Sequence, residues 1–230
     1  IETQTVPQQG CCGALHLHTG DEEEAKRLAR QNIAAFEARP EEEWIVNTAG
    51  GCGAMLMEYG RLLADDPIWA QRAERFSRRI RDWSTALKEK GKALVYQGSG
   101  ERVTLQNSCH LVNVEKAGDD PVTLIRQVQG DEFVPIAGQN SCCGSAGVYN
   151  LTHTDMSLQV LDRKMQEVDQ AAPDRILVNN PGCHLQMQWG VSRLSPAGGP
   201  EVEHVARYLY RAAVRAQSLA PESNPSEIKS

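Results

Sequence analysis

The tripeptide Cys-Cys-Gly occurs twice in this chain, at residues 11–13 and 142–144, and each copy is followed by a lone cysteine at one fixed distance. From Cys12 to Cys52 is 40 positions, and from Cys143 to Cys183 is also 40. The surroundings of the later cysteine match too. IVNTAGGCGAMLMEYG (45–60) parallels ILVNNPGCHLQMQWG (176–190): an apolar run, an Asn, small or turn residues, Gly-Cys, then a Met-containing segment ending in aromatic-Gly. Two matches at one spacing mark an internal duplication with a period near 131, so the chain must fold as two copies of one unit. The second copy has a further cysteine, Cys109, in TLQNSCHL (104–111), whose counterpart would fall at position -22. The first copy is therefore expected to be truncated, without its opening strand and first cysteine, in keeping with a start at Ile1 rather than Met.

Within each copy, strand and helix patterns alternate. RVTLQ (102–106), FVPIA (133–137) and RILVN (175–179) read as apolar strands, and WIVN (44–47) as their relative in the first copy. TDMSLQVLDRKMQEV (154–168) reads as a helix whose Leu158, Leu161, Met165 and Val168 share one face. The first copy offers the matching helix at 19–38, with Leu28, Ala29, Ile33 and Phe36 on its apolar face and Thr19 and Glu22 as a capping box. Asp66 and Pro67 make a helix start and Gly91 a stop, predicting one long linking helix with Trp69, Phe76, Ile80, Trp83 and Leu87 between them. Strand–helix–strand units with continuous apolar strands imply small parallel sheets flanked by helices, an α/β protein of two pseudo-symmetric domains, the first incomplete. The expected division is 1–91 for the first domain with its linking helix, 92–216 for the second, and a polar, disordered tail at 217–230.

Composition narrows the chemistry. With 40% hydrophobic residues a real core can form, and a net charge of -6 excludes general nucleic-acid binding, which needs a basic face. No apolar run approaches the ~20 residues of a membrane-spanning helix, and no signal peptide is visible. Seven cysteines is an odd count, clustered rather than spread as in a secreted disulfide scaffold. The expectation is an intracellular, reduced, cytoplasmic setting, where clustered cysteines mean metal ligation or redox chemistry.

Cys109, Cys142, Cys143 and Cys183 each follow a predicted strand, and loops at the carboxyl ends of parallel strands converge on one crevice. Four converging thiolates are the ligand set of an iron–sulfur cluster or a structural zinc. Adjacent cysteines aim poorly at a single ion but reach different irons of a cluster, so the cluster leads, with zinc and thiol–disulfide chemistry as alternatives. Gly144, Gly147 and Gly182 let backbone come close. His110 and His184, next to Cys109 and Cys183, read more readily as ordinary loop residues than as donors. His16 and His18 either line the first site or are exposed, and Tyr149 and Asn150 are placed to pack under the Cys-Cys loop. Glu22, Glu23 and Glu24 are a solvated helix start. No nucleophile elbow, P-loop or dinucleotide fingerprint is present.

On GCCGALHLHTG, AGGCGAM, SCHL, SCCGSAGVYNL and NPGCHLQMQWG, which lie within residues 6 to 215, the sequence resembles the cysteine-rich CCG-domain iron–sulfur proteins. That family includes the catalytic subunit of heterodisulfide reductase, and the likeness is greatest to its glycolate oxidase (glycolate dehydrogenase) iron–sulfur subunits and their lactate-utilisation relatives. The resemblance implies a cluster, [4Fe–4S] in type, on Cys109, Cys142, Cys143 and Cys183, with Cys11, Cys12 and Cys52 as the remainder of a first site. It also implies electron transfer from an FAD-containing hydroxy-acid dehydrogenase subunit to a quinone or other membrane-associated acceptor, at the periphery of the inner membrane. Two departures matter. Gln186 and Met55 stand where a heterodisulfide-reductase-like C-x-x-C would place its second cysteine, which argues against a five-thiolate site that cleaves disulfides. No C-x-x-C-x-x-C run is present, so the family's ferredoxin-like cluster domain is expected to be absent from this chain.

Overall fold

The structure is a computed structural model that describes residues 1–195 and 198–219. Its first unit opens with α1 (Ala14–His18) and α2 (Glu22–Phe36), followed by β1 (Ile45–Asn47), α3 (Gly50–Met57), α4 (Tyr59–Leu62), α5 (Ala70–Arg78), β2 (Ile80–Asp82) and α6 (Trp83–Lys90). β1 and β2 pair in parallel, Ile45 opposite Ile80. Ala25, Ala29 and Ile33 of α2 pack with Ile45, Met55, Tyr59, Phe76 and Ile80 into one core, which also takes in Cys12.

The second unit runs β3 (Tyr96–Gln97), β4 (Arg102–Gln106), α7 (Cys109–Asn113), α8 (Asp119–Ile125), β5 (Val128–Gln129), β6 (Glu132–Phe133), α9 (Tyr149–Thr152), α10 (Thr154–Ala171), β7 (Arg175–Val178), α11 (Pro181–Leu194), β8 (Glu201–His204) and α12 (Val205–Leu219). Its main sheet is parallel with order β6-β4-β7-β8, and β3 pairs with β5 beside it. Alternation along β7 splits the core in two. Leu177 faces Val103, Leu105, Val205 and Leu209 on one side, while Ile176 and Val178 face Leu161, Met165 and Met187 on the other. Cys143 and Cys183 close the end of that second core.

The two units share a plan: a strand, a cysteine-bearing helix, a second parallel strand, then a helix. β1-α3-β2-α6 repeats as β7-α11-β8-α12, with α4 and α5 inserted between α3 and β2 in the first unit only. In the second unit β4 lies on the far side of β7. Among the described residues β1 has no such neighbour, and Val46 is exposed.

Three expectations are corrected. The linking helix is two helices separated by β2, because Ile80–Asp82 takes up parallel pairing with β1 and Asp82 then caps α6 by accepting from the Ser84 amide at 2.8 Å. Asp21 rather than Thr19 caps α2, accepting from the Glu24 amide at 3.3 Å, while the Thr19 hydroxyl turns back to the carbonyls of Leu15 and His16. The strand expected over 133–137 pairs only at Glu132–Phe133. The boundary expected at 91/92 falls between α6 and β3. Residues 217–219 of the expected tail belong to α12, and 220–230 lie outside the described residues.

Candidate metal centre

Each lone cysteine sits where a strand hands over to a helix. Cys109 is the first residue of α7, two residues after the buried Asn107 at the end of β4. Cys183 is the third residue of α11, behind Pro181, and Cys52 the third residue of α3. Sulfur in the first turn of a helix faces unpaired backbone N–H groups and the positive end of the helix dipole, which favours thiolate over thiol. Cys142 and Cys143 lie on the long loop between β6 and α9.

Buried asparagines tie these three loops together. Asn179 accepts from the Ser108 amide at 2.8 Å and donates to Asn107 Oδ1 at 2.6 Å, and Asn107 Nδ2 reaches Asn140 Oδ1 at 3.1 Å. One amide chain thus crosses from the Cys183 loop through the Cys109 loop to the Cys142–Cys143 loop.

The thiols meet at the end of that scaffold. Cys109 neighbours Cys142, Cys142 neighbours Cys143, and Cys143 neighbours Cys183. In the first unit Cys12 contacts Cys52, with Cys11 beside Cys12. All seven are free thiols. Protons are shared unevenly within each group. Hydrogen bonds from Cys109 and Cys143, and then the Gly144 amide, pull Cys142 well below an ordinary thiol. The hydrogen bond from Cys143 lowers Cys183 against the opposing effect of burial. Cys143 and Cys109 are pushed up, first by holding the shared protons and then by burial. Likewise Cys52 falls to about 7 through the hydrogen bond from Cys12, and Cys12 rises.

Nitrogen donors surround the sulfur. The Gly144 amide lies 3.3 Å from Cys142 Sγ, the Gly13 amide 3.5 Å from Cys11 Sγ, and Asn180 Nδ2 3.8 Å from Cys183 Sγ. Gly144 has φ +96°, and a Cβ there would stand 2.6 Å from the Ser157 carbonyl, so only glycine makes this turn. Four soft sulfurs, two of them, Cys142 and Cys183, with an N–H donor directed at them, have the chemistry to hold a metal cluster. Among the described residues no three His, Cys, Asp or Glu side chains gather round one point as a single ion requires.

The two thiol groups share a seam between the units. The α3 N-terminus abuts the start of α11, with the Gly51 amide donating to Asn180 Oδ1 at 2.9 Å. His18 stacks on His110 with ring centroids 6.4 Å apart. His110 was expected to be an ordinary loop residue, but its Nδ1 lies 3.8 Å from Cys109 Sγ, because Cys109 and His110 share the first turn of a short helix. Burial, then the neighbouring His18, lowers the pKa of His110. His16 instead pairs with Asp21 at 3.3 Å, and Tyr149 lies exposed, stacked on His153 rather than tucked under the loop. Gln186 is buried and donates to Ser157 Oγ at 3.0 Å, and Met55 lies in the first core. At the same seam Glu115 accepts from Asn47 Nδ2 at 3.1 Å, while its Oε1 is buried without a partner. Burial, with Asp82 adding repulsion, raises its pKa to about 7.

Sequence reasoning missed the residues that hold the first loop. Asn32 accepts from the Gly10 amide at 2.8 Å and donates to the Cys11 carbonyl, and Tyr59 donates to the Cys12 carbonyl, both at 2.9 Å. The available signal was an Asn one position from Ile33 on an otherwise apolar helix face.

The model of the cysteine-rich domain family designated CCG matches residues 1–57 and 103–188, more than half of the chain. Among characterised sequences, the chain is 44% identical over 209 residues to the probable glycolate oxidase iron-sulfur subunit of Bacillus subtilis, covering 90% of this chain and 47% of that protein. It is 30% identical over 206 residues to the glycolate oxidase iron-sulfur subunit of Escherichia coli, covering 89% and 49%. It is also 29% identical over 205 residues to lactate utilization protein A of Shouchella clausii, covering 87% and 82%. The chain spans about half the length of the two glycolate oxidase subunits.

Proposed function

The chain belongs to the CCG cysteine-rich-domain family, and from that premise we propose that it is the electron-relay part of an iron–sulfur subunit serving a 2-hydroxy-acid oxidoreductase of the glycolate or lactate type. The observation that carries this reading is that Cys109, Cys142, Cys143 and Cys183, from three separate loops, neighbour one another in pairs. Cys109, Cys142, Cys143 and Cys183 hold the cluster of the second domain, and Cys11, Cys12 and Cys52 contribute to a first site. Adjacent cysteines such as Cys142 and Cys143 suit a group with several metal atoms better than one zinc ion, which needs four donors ~2.3 Å from one point. An iron–sulfur cluster, which we take as [4Fe–4S], supplies one-electron storage when bound.

The chain's own residues do the rest. The Gly144 amide and Asn180 direct N–H groups at sulfur and offset its charge. The helix starts at Cys52 and Cys183 favour the thiolates that bind metal. Val178, Leu161, Met187 and Val202 keep water from the rear of the site. Substrate oxidation belongs to an FAD-containing partner subunit, because abstraction of hydride needs a cofactor of that kind. Electrons then pass to a quinone-like acceptor. We place the chain in the cytoplasm, at the face of the inner membrane; among the described residues no helix is long and apolar enough to cross a membrane. The working division of the chain is a first domain at 1–91 and a second at 92–216.

Anaerobic preparation with iron, sulfide and zinc analysis and electron paramagnetic resonance tests the reading. Iron and sulfide in equal amounts, a brown colour and a paramagnetic signal on reduction are expected. Zinc alone, with a colourless protein, overturns it.

A further inference from the structure

The loop that carries Cys142 and Cys143 is gripped on both sides by one helix. Before the cysteines, Lys164 of α10 reaches residues 138–141 with a side chain only 2% exposed. Its Nζ donates to the Gly138 carbonyl, to Ser141 Oγ at 2.9 Å and to Glu167 Oε2 at 3.1 Å, so all three ammonium hydrogens have acceptors. Glu167 Oε2 in turn accepts from the Gly138 amide at 3.0 Å. After the cysteines, Ser157 Oγ donates to the Gly144 carbonyl at 2.8 Å, and Gln186 braces Ser157. Ser157 and Lys164 are seven residues apart, about two turns along one face of the helix.

A buried lysine is costly, and an apolar side chain beside Leu161 and Met165 would pack there without that cost. The first unit makes the equivalent grip with neutral groups, Asn32 and Tyr59. Stability alone therefore does not call for an ion pair at this place. The ion pair is set against a turn that ends at Ser141, the residue next to Cys142. A positive charge there favours an added electron on a group held by these sulfurs, and the carboxylate beside it opposes one.

We propose that Lys164 and Glu167 are the positioning pair of the second thiol site: they clamp the 138–141 turn so that Cys142 and Cys143 present their sulfurs, and their two charges bias the electron affinity of what those sulfurs hold. The electron-affinity part rests on the iron–sulfur reading above; the clamp does not.

The test has two arms. In the metal-free full chain, hydrogen exchange of residues 138–144 is followed by mass spectrometry. Lys164→Met is expected to speed exchange there by about tenfold or more, with α12 unchanged, because bonds to a charged group are lost. Glu167→Gln, which keeps an acceptor for the Gly138 amide at a more exposed position, supplies a second variant if Lys164→Met does not fold. In the anaerobically reconstituted chain, the midpoint potential of the bound cluster is measured. Lys164→Met is expected to lower it and Glu167→Gln to raise it, a sign reversal that simple loosening of the loop does not give. Unchanged exchange at 138–144 in a folded Lys164→Met protein, or shifts of the same sign in both variants, overturns the proposal. If the unaltered chain takes up no cluster, the iron–sulfur reading and the electron-affinity part fail together, while the exchange arm still decides the clamp.

Discussion

Replacing Glu115 with Gln is expected to stabilise the metal-free chain, and to do so only above a definite pH. Glu115 joins the two units through Asn47, and its Oε1 is buried with no partner. Burial raises its pKa from the ordinary 4.5 to about 7. Below pH 4.5 the carboxyl is protonated in both the folded and the unfolded chain, and the group has no effect on pH-dependent stability. Between 4.5 and 7 the unfolded chain loses the proton while the folded one keeps it, so stability falls as pH rises. Above 7 the full penalty is present. At ~1.4 kcal/mol per pH unit it amounts to about 3 kcal/mol, an upper limit because part of the side chain meets water. Gln keeps the oxygen that Asn47 uses and removes the charge. Urea unfolding of both proteins at pH 4.5 and pH 8 should therefore give similar stabilities at the lower pH and a gain of up to about 3 kcal/mol for Glu115→Gln at the higher, roughly 5–10 °C in melting temperature. Other titrating groups cancel in the comparison. A variant equally stable or less stable than the parent at pH 8 refutes the reasoning that the seam holds this carboxyl desolvated.

The other predictions concern the site and its support. On the function proposed above, Cys143→Ser should lose the second-domain cluster and stop electron transfer to an artificial acceptor, while substrate still reduces the flavin of the proposed partner subunit; stopped-flow absorbance separates the two steps. Binding of Cd²⁺ to the metal-free chain at pH 7 should release protons from the second site, chiefly those of Cys109 and Cys143, and tighten as pH rises, as a pH-indicator titration would record. Leu161→Ala, at a fully buried position between α10 and the sheet, should cost about 2–5 kcal/mol in urea unfolding. Tyr59→Phe should cost about 1–2 kcal/mol and speed hydrogen exchange at residues 10–13 ahead of residues 142–144, because the Cys12 carbonyl loses its donor.

Long periodic segments and continuous apolar runs were readable in advance. Arg102–Gln106 forms as expected because every residue after Arg102 is buried, and α10 forms because Leu161, Met165 and Val168 share its inner face. β2 was not readable. Three residues, Ile80–Asp82, continue a helical spacing in the sequence, and only β1, 35 positions away, makes them a strand. The α2 cap was misread by two residues because Thr19 and Asp21 both suit the role, and the backbone turn at Gly20, φ +87°, selects Asp21. Strand-end logic placed Cys109 and Cys183 at the starts of α7 and α11, but it did not foresee the long loop that separates Cys142 and Cys143 from β6. The asparagine chain through Asn107, Asn140 and Asn179 was not readable either, because hydrogen bonds among distant amides leave no periodic trace. Lys164 was likewise hidden, since a lysine in a helix ordinarily reaches solvent.

The unequal burial of the seven cysteines sets an order of damage. Cys11 and Cys52 are exposed, whereas Cys143 and Cys183 lie within an apolar core. A peroxide arriving from solvent therefore reaches Cys11 and Cys52 before Cys143 or Cys183. Oxidation of the chain would thus begin at these surface thiols and reach the two housed in the core last.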